Sequence, residues 1–80
     1  MEKLQTIYDD RKSFYGKAQT ETIGTQLVLW SYDTKVSYIE NGKAFVLGTY
    51  SQTTLRHIKE FLRQNCFKAD SKKQIVADYM

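Results

Sequence analysis

Residues 36–47 read Val-Ser-Tyr-Ile-Glu-Asn-Gly-Lys-Ala-Phe-Val-Leu. Asn41 and Gly42 sit between two runs rich in β-branched and aromatic residues, and that dipeptide accepts the two positive φ angles of a type I′ turn. The turn sets a hairpin register in which Glu40 faces Lys43, Ile39 faces Ala44, Tyr38 faces Phe45, Ser37 faces Val46 and Val36 faces Leu47. Side chains alternate along a strand, so Val36, Tyr38, Phe45 and Leu47 share one face while Ser37, Ile39, Ala44 and Val46 share the other. The first set is bulkier, which predicts that it faces the core.

Upstream of the hairpin, residues 26–32 (QLVLWSY) form an almost unbroken apolar run of strand length, the expected central strand. Ile23, Gly24 and Thr25 mark a turn before it, and Phe14 to Thr22 predicts another strand. Leu4, Ile7, Tyr8 and Arg11 recur at spacings of three and four, which predicts a short amphipathic helix over residues 2–12.

After Tyr50 the apolar period changes from two to 3.6. Ser51 is placed as an N-cap, with Tyr50 and Leu55 flanking it as a hydrophobic staple. Thr54, Leu55, Ile58, Phe61, Leu62 and Asn65 then fall on one side of a helix, the expected core face. Arg56, Lys59 and Arg63 share the opposite flank, and Thr53, His57, Glu60 and Gln64 the remaining one. The helix should end near Asn65, which puts Cys66 at the left-handed position usually held by Gly, with Phe67 folding back. Ser71 to Gln74 matches a capping box and opens a last short helix with Ile75, Val76 and Tyr79 on its apolar side.

Strands followed by a helix predict an α+β fold: an antiparallel meander of about four strands, one long helix packed on one face, and short helices at the termini. The 80 residues make a single domain over 1–80, since two cores would each be too small to offset chain entropy. One Cys and one His leave no internal disulfide and too few ligands for structural zinc, so no metal or cofactor is expected. A lone thiol in so small a chain suits a reducing compartment. No apolar run reaches the roughly 18 residues of a membrane span, and the N-terminus lacks a signal peptide's apolar stretch. The expected location is cytoplasmic.

Catalysis finds little support in the residues. His57 is the natural general acid or base, yet Cys66 points away from it on the helix and Ser51 is occupied as a cap. The plainer reading is a histidine packed at the edge of the core. Asp9 and Asp10 project differently, Glu40 flanks the turn, and Glu60 is expected to pair with Arg56 on the helix surface. Glycines at 16, 24, 42 and 48 fit no phosphate-binding loop. An enzyme, and a small-molecule substrate, are therefore not expected.

Charge and aromatics carry more. The net charge of +3 is zero over residues 1–55 and lies wholly in residues 56–80, where Arg56, Lys59, Arg63, Lys68, Lys72 and Lys73 outnumber Glu60, Asp70 and Asp78. Such a surface suits phosphates or an acidic protein; the bland alternative is a solvated helix face. Six Tyr, four Phe and one Trp exceed what one small core easily hides. Tyr15, Trp30, Tyr32 and the face bearing Ser37 and Ile39 are expected opposite the helix, available for a partner protein, a second copy of the chain or stacked bases.

The segments S-Y-D-T-K-V at 31–36 and Y-S-Q-T-T-L-R-H-I-K-E-F-L at 50–62 resemble a family of short, largely uncharacterised proteins of Firmicute bacteria, their phages and mobile elements. The likeness spans roughly residues 13–67 and carries no catalytic residues. It implies a mobile-element setting, in which small proteins bind host machinery and inhibit CRISPR or other defence systems. The combined expectation is a non-catalytic interaction protein, an inhibitor or modulator of a host protein. The alternative is a small nucleic-acid-binding protein using the basic C-terminal surface.

Overall fold

In a computed structural model describing residues 2–4, 18–48 and 51–80, the Asn41-Gly42 turn closes the hairpin as its chemistry requires. Asn41 has φ 53° and Gly42 φ 75°. Strand β4 (Thr34–Glu40) and strand β5 (Lys43–Val46) pair with Glu40 opposite Lys43, Ile39 opposite Ala44, Tyr38 opposite Phe45 and Ser37 opposite Val46. Leu47 N–H extends the pairing by donating to the Val36 carbonyl at 2.9 Å. β4 pairs on its other side with β3 (Gln26–Ser31), which pairs with β2 (Ala18–Ile23) through a tight turn at Gly24 and Thr25.

A two-residue strand β1 (Glu2–Lys3) completes an antiparallel sheet ordered β1-β2-β3-β4-β5. The helix expected over residues 2–12 is thus corrected at its start: Glu2 and Lys3 lie opposite Thr20 and Gln19, and Leu4 N–H donates to the Ala18 carbonyl at 2.8 Å. Helical spacing of a few residues loses here to the open backbone edge of β2, whose amides and carbonyls need partners. Residues 5–12, and residues 14–17 of the strand expected to begin at Phe14, lie outside the described residues.

Helix α1 (Gln52–Gln64) lies across β3 and β4, and helix α2 (Lys72–Tyr79) against β5, so the fold is α+β with both helices on one face of the sheet. Ser51 caps α1 by accepting from Thr54 N–H at 3.2 Å. Tyr50, the other half of the expected staple, lies outside the described residues. At the far end Cys66 adopts φ 68°, with Cys66 N–H bonded to the Arg63 carbonyl at 3.1 Å and Phe67 N–H to the Leu62 carbonyl at 2.9 Å. These two bonds define a Schellman cap, built here on a residue with a Cβ.

Ser71 caps α2 by accepting from Gln74 N–H at 3.2 Å. Gln74 reaches back one residue further than a standard capping box, its Oε1 accepting from Asp70 N–H at 2.7 Å. Ile75 is fully buried and Tyr79 half-buried, while Val76, expected on the same apolar side, is exposed. A helix of eight residues offers only a narrow stripe to the sheet, and Ile75 and Tyr79 fill it.

The hairpin's faces are reversed from the expectation. The core joins Leu29, Val36, Ala44 and Val46 of the sheet to Ile58, Phe61 and Leu62 of α1 and Ile75 of α2. Ser37 is buried as well, its Oγ donating to the Phe45 carbonyl at 2.7 Å, whereas Phe45 and Leu47 are exposed. The bulk of the core comes from the helices, so the strand positions beneath them must be small for the layers to approach. Val36 stays in the core because β4 carries a bulge: Leu29 lies opposite Ser37 and Trp30 opposite Lys35, leaving Val36 as the extra residue.

Candidate functional site

β3 alternates strictly, so Leu27, Leu29 and Ser31 point toward the helices and Gln26, Val28 and Trp30 point away. Ser31 is therefore a hydroxyl at a core position, 2% exposed, and burial of this kind demands a partner. α1 supplies two. Ser31 Oγ lies 2.8 Å from His57 Nδ1 and 2.9 Å from Thr54 Oγ1, and Ser51 Oγ donates to Thr54 Oγ1 at 3.3 Å. Thr54 and His57 are three residues apart, so one turn of helix brings both over the end of β3.

A serine hydroxyl beside an imidazole nitrogen is the pairing of a nucleophile with its base. His57, however, is completely buried. Ser31 is enclosed to nearly the same degree, and the cluster joins the end of β3 to the first turns of α1. Ser31 is the neighbour that sequence reasoning missed. Its signal was present in the alternation Leu27, Leu29, Ser31, a polar residue on an apolar face.

The flank bearing His57 and Glu60 is corrected with it. Glu60 is 1% exposed and accepts from Gln64 Nε2 at 2.7 Å, so it does not pair with Arg56 on the surface as expected. Tyr32 follows Ser31 directly and holds φ 58°, a left-handed conformation costly for an aromatic residue. Its half-exposed ring stands 6.1 Å from the His57 ring.

The expected aromatic group does not assemble as one surface. Tyr15 lies outside the described residues, Tyr32 belongs to the turn over His57, and Trp30 lies on the sheet face away from the helices. The face bearing Ser37 and Ile39 is the helix face, and the other face is exposed only in part, since Val28 on it is completely buried. On that other face stand Tyr38 and Phe45, stacked with ring centroids 4.8 Å apart and planes 19° apart, with Lys35 Nζ 4.8 Å from the Tyr38 ring centre. Trp30 Nε1 is buried there without a hydrogen-bond partner.

The basic residues divide similarly. Arg56 and Lys59 are half-buried on α1, and Lys72 and Lys73 are exposed in the first turn of α2. Arg63 is committed to the fold, its guanidinium donating to the Ala69 carbonyl at 2.5 Å, and Lys68 forms an exposed ion pair with Asp70 at 3.6 Å. Of the six basic residues spread over positions 56–73, Arg63 is thus tied to the fold, while the exposed Lys68–Asp70 pair leaves Lys68 in solvent. Among the described residues no group of three or more His, Cys, Asp or Glu gathers as a metal site. No helix among them is long and apolar enough to cross a membrane.

These features define a small α+β protein with helices on one side of an antiparallel sheet and its serine–histidine pair sealed between the layers. The chain belongs to a family of unknown function, DUF8033, whose profile matches residues 2–77. No curated protein and no solved structure matches it.

Proposed function

We propose that the protein is a non-catalytic interaction protein that binds another protein through the sheet face turned away from its helices. The observation that carries this reading is the contrast between a sealed Ser31–His57 pair and the Tyr38–Phe45 stack with Lys35 beside it on the outer face. Aromatic rings held rigidly by stacking lose little entropy on binding, and such residues dominate the centres of protein interfaces.

The mobile-element setting implied by the sequence resemblance makes the partner a host protein, such as a CRISPR or other defence component, and the action inhibition or modulation. Affinity capture from a bacterial host, repeated with a Lys35→Glu, Tyr38→Ala double variant, tests the face. A stoichiometric partner retained by the parent chain and lost by the variant at unchanged melting temperature supports the proposal; equal retention by both moves the binding surface elsewhere.

The second reading is nucleic-acid binding by Arg56, Lys59, Lys72 and Lys73, which form no ion pair among the described residues, whereas Arg63 is held by the Ala69 carbonyl. It requires affinity that falls steeply with salt. Fluorescence anisotropy with single- and double-stranded DNA and RNA at low ionic strength decides it, and a flat titration removes it.

A further inference from the structure

We propose that the cleft between β5 and the C-terminal end of α2 is closed by a second copy of this chain, related by a two-fold axis, with Lys43 of each copy facing Asp78 of the other. The cleft measures about 520 Å³ and is lined by Phe45, Phe67, Tyr79 and Met80, with Lys43 on its strand wall and Asp78 on its helix wall. Among the described residues β5 is an edge strand of the sheet.

Apolar exposure gathers around this edge. Among the described residues Phe45, Leu47, Val76 and Met80 are exposed large hydrophobic side chains on β5, on α2 or in the residue that follows one of them, with Ile23 and Tyr32 exposed elsewhere. Phe67 and Tyr79 meet edge to face at 6.1 Å, and the Tyr79 hydroxyl is already donated to the Lys68 carbonyl at 2.8 Å. The cleft therefore offers ring surface more than hydrogen bonds, and its specificity must come from its two charges.

Those charges single out the occupant. Lys43 and Asp78 are both exposed and do not pair with each other; the Asp78 carboxylate accepts only a neutral hydrogen bond from Gln74 Nε2, at 2.8 Å, among the described contacts. Across a two-fold axis running between the two walls, Lys43 of one copy stands opposite Asp78 of the other, and Asp78 opposite Lys43. A second copy supplies that reversed pattern without further design, and oppositely charged groups fix the register of the pair. The cleft shares Phe45 with the Tyr38–Phe45 stack, so the two proposals are separated at Lys43 and Asp78 on one side and at Lys35 and Tyr38 on the other.

Sedimentation equilibrium from micromolar to millimolar protein tests it. The parent chain is expected to approach twice the chain mass. Lys43→Asp and Asp78→Lys should each weaken dimerisation by about tenfold or more, because each places like charges in contact twice. Mixing the two variants should restore dimerisation as a heterodimer, since both cross-contacts then join opposite charges, a rescue that mere destabilisation of either variant would not produce. Circular dichroism confirms that each variant folds. A parent chain that stays monomeric at millimolar concentration, single variants that dimerise as well as the parent, or a mixture no tighter than its components would each overturn the proposal; a monomer that binds a foreign peptide in this cleft would also do so.

Discussion

Cys66 carries a Cβ in a conformation that suits glycine. Its φ of 68° is imposed by the two Schellman hydrogen bonds and by Phe67, which packs back against the core. Replacement by Gly removes the steric cost while keeping both bonds, and Cys66→Gly should stabilise the protein by about 1 kcal/mol, less the entropy that glycine gains in the unfolded chain. Urea denaturation at equal slope measures it, and a lower midpoint would show that the thiol contributes packing. Ser31 presents the opposite case. Ser31→Ala deletes the hydroxyl that bridges Thr54 and His57, and the loss should cost about 1–3 kcal/mol because both partners stay buried. A loss below half a kilocalorie, on the order of a surface substitution, would show that the cluster relaxes without it.

The elements differ in how much of their form is local. α1 begins at a side-chain cap and ends at a backbone cap, both readable from Ser51 and from the apolar period around Ile58 and Phe61. The β4–β5 hairpin is equally local, since two positive φ angles at Asn41 and Gly42 leave one register. Gly42→Ala adds a Cβ that meets no atom within 4 Å, so its cost is backbone strain alone, about 1–2 kcal/mol, with the pairing intact. Amide exchange confined to β4 and β5 would register that weakening. α2 depends more on its first turn: Ser71 and Gln74 together satisfy donors that the eight-residue helix cannot satisfy internally. Ser71→Ala should cost about 1 kcal/mol, and loss of the Phe67–Tyr79 contact in nuclear Overhauser spectra would show the helix detaching from β5.

α1 and α2 fill the same core, so the molecule is expected to unfold as one unit. Phe61 has no exposed surface and joins the core formed by the sheet and by Ile75, so Phe61→Ala should cost about 3–5 kcal/mol, a large share of the 5–15 kcal/mol typical of whole domains. Thermal unfolding followed separately by tyrosine fluorescence and by circular dichroism should still show a single transition; two transitions would indicate that α2 and β5 unfold independently. The hairpin register and the helix caps were legible in the sequence because short-range bonds decide them. The reversed faces were not. Tyr38 and Phe45 look like core residues until the volume of Ile58, Phe61, Leu62 and Ile75 is placed over the same strands.

Sequence alone determined the elements from Ile23 to Tyr79: turns at Gly24 and Asn41, a helix from Ser51 to Asn65 with a left-handed Cys66, and a second helix opening at Ser71. Each rests on dihedral preference or on a hydrogen bond spanning only a few residues. Tertiary structure decided which side of each element is inside. It buried Glu60 and His57, brought Ser31 to an imidazole 26 positions along the chain, tied Arg63 to the Ala69 carbonyl, and left Phe45 and Asp78 lining one cleft. Burial depends on the combined volume and polarity of surfaces distant in sequence, and no local period encodes that sum.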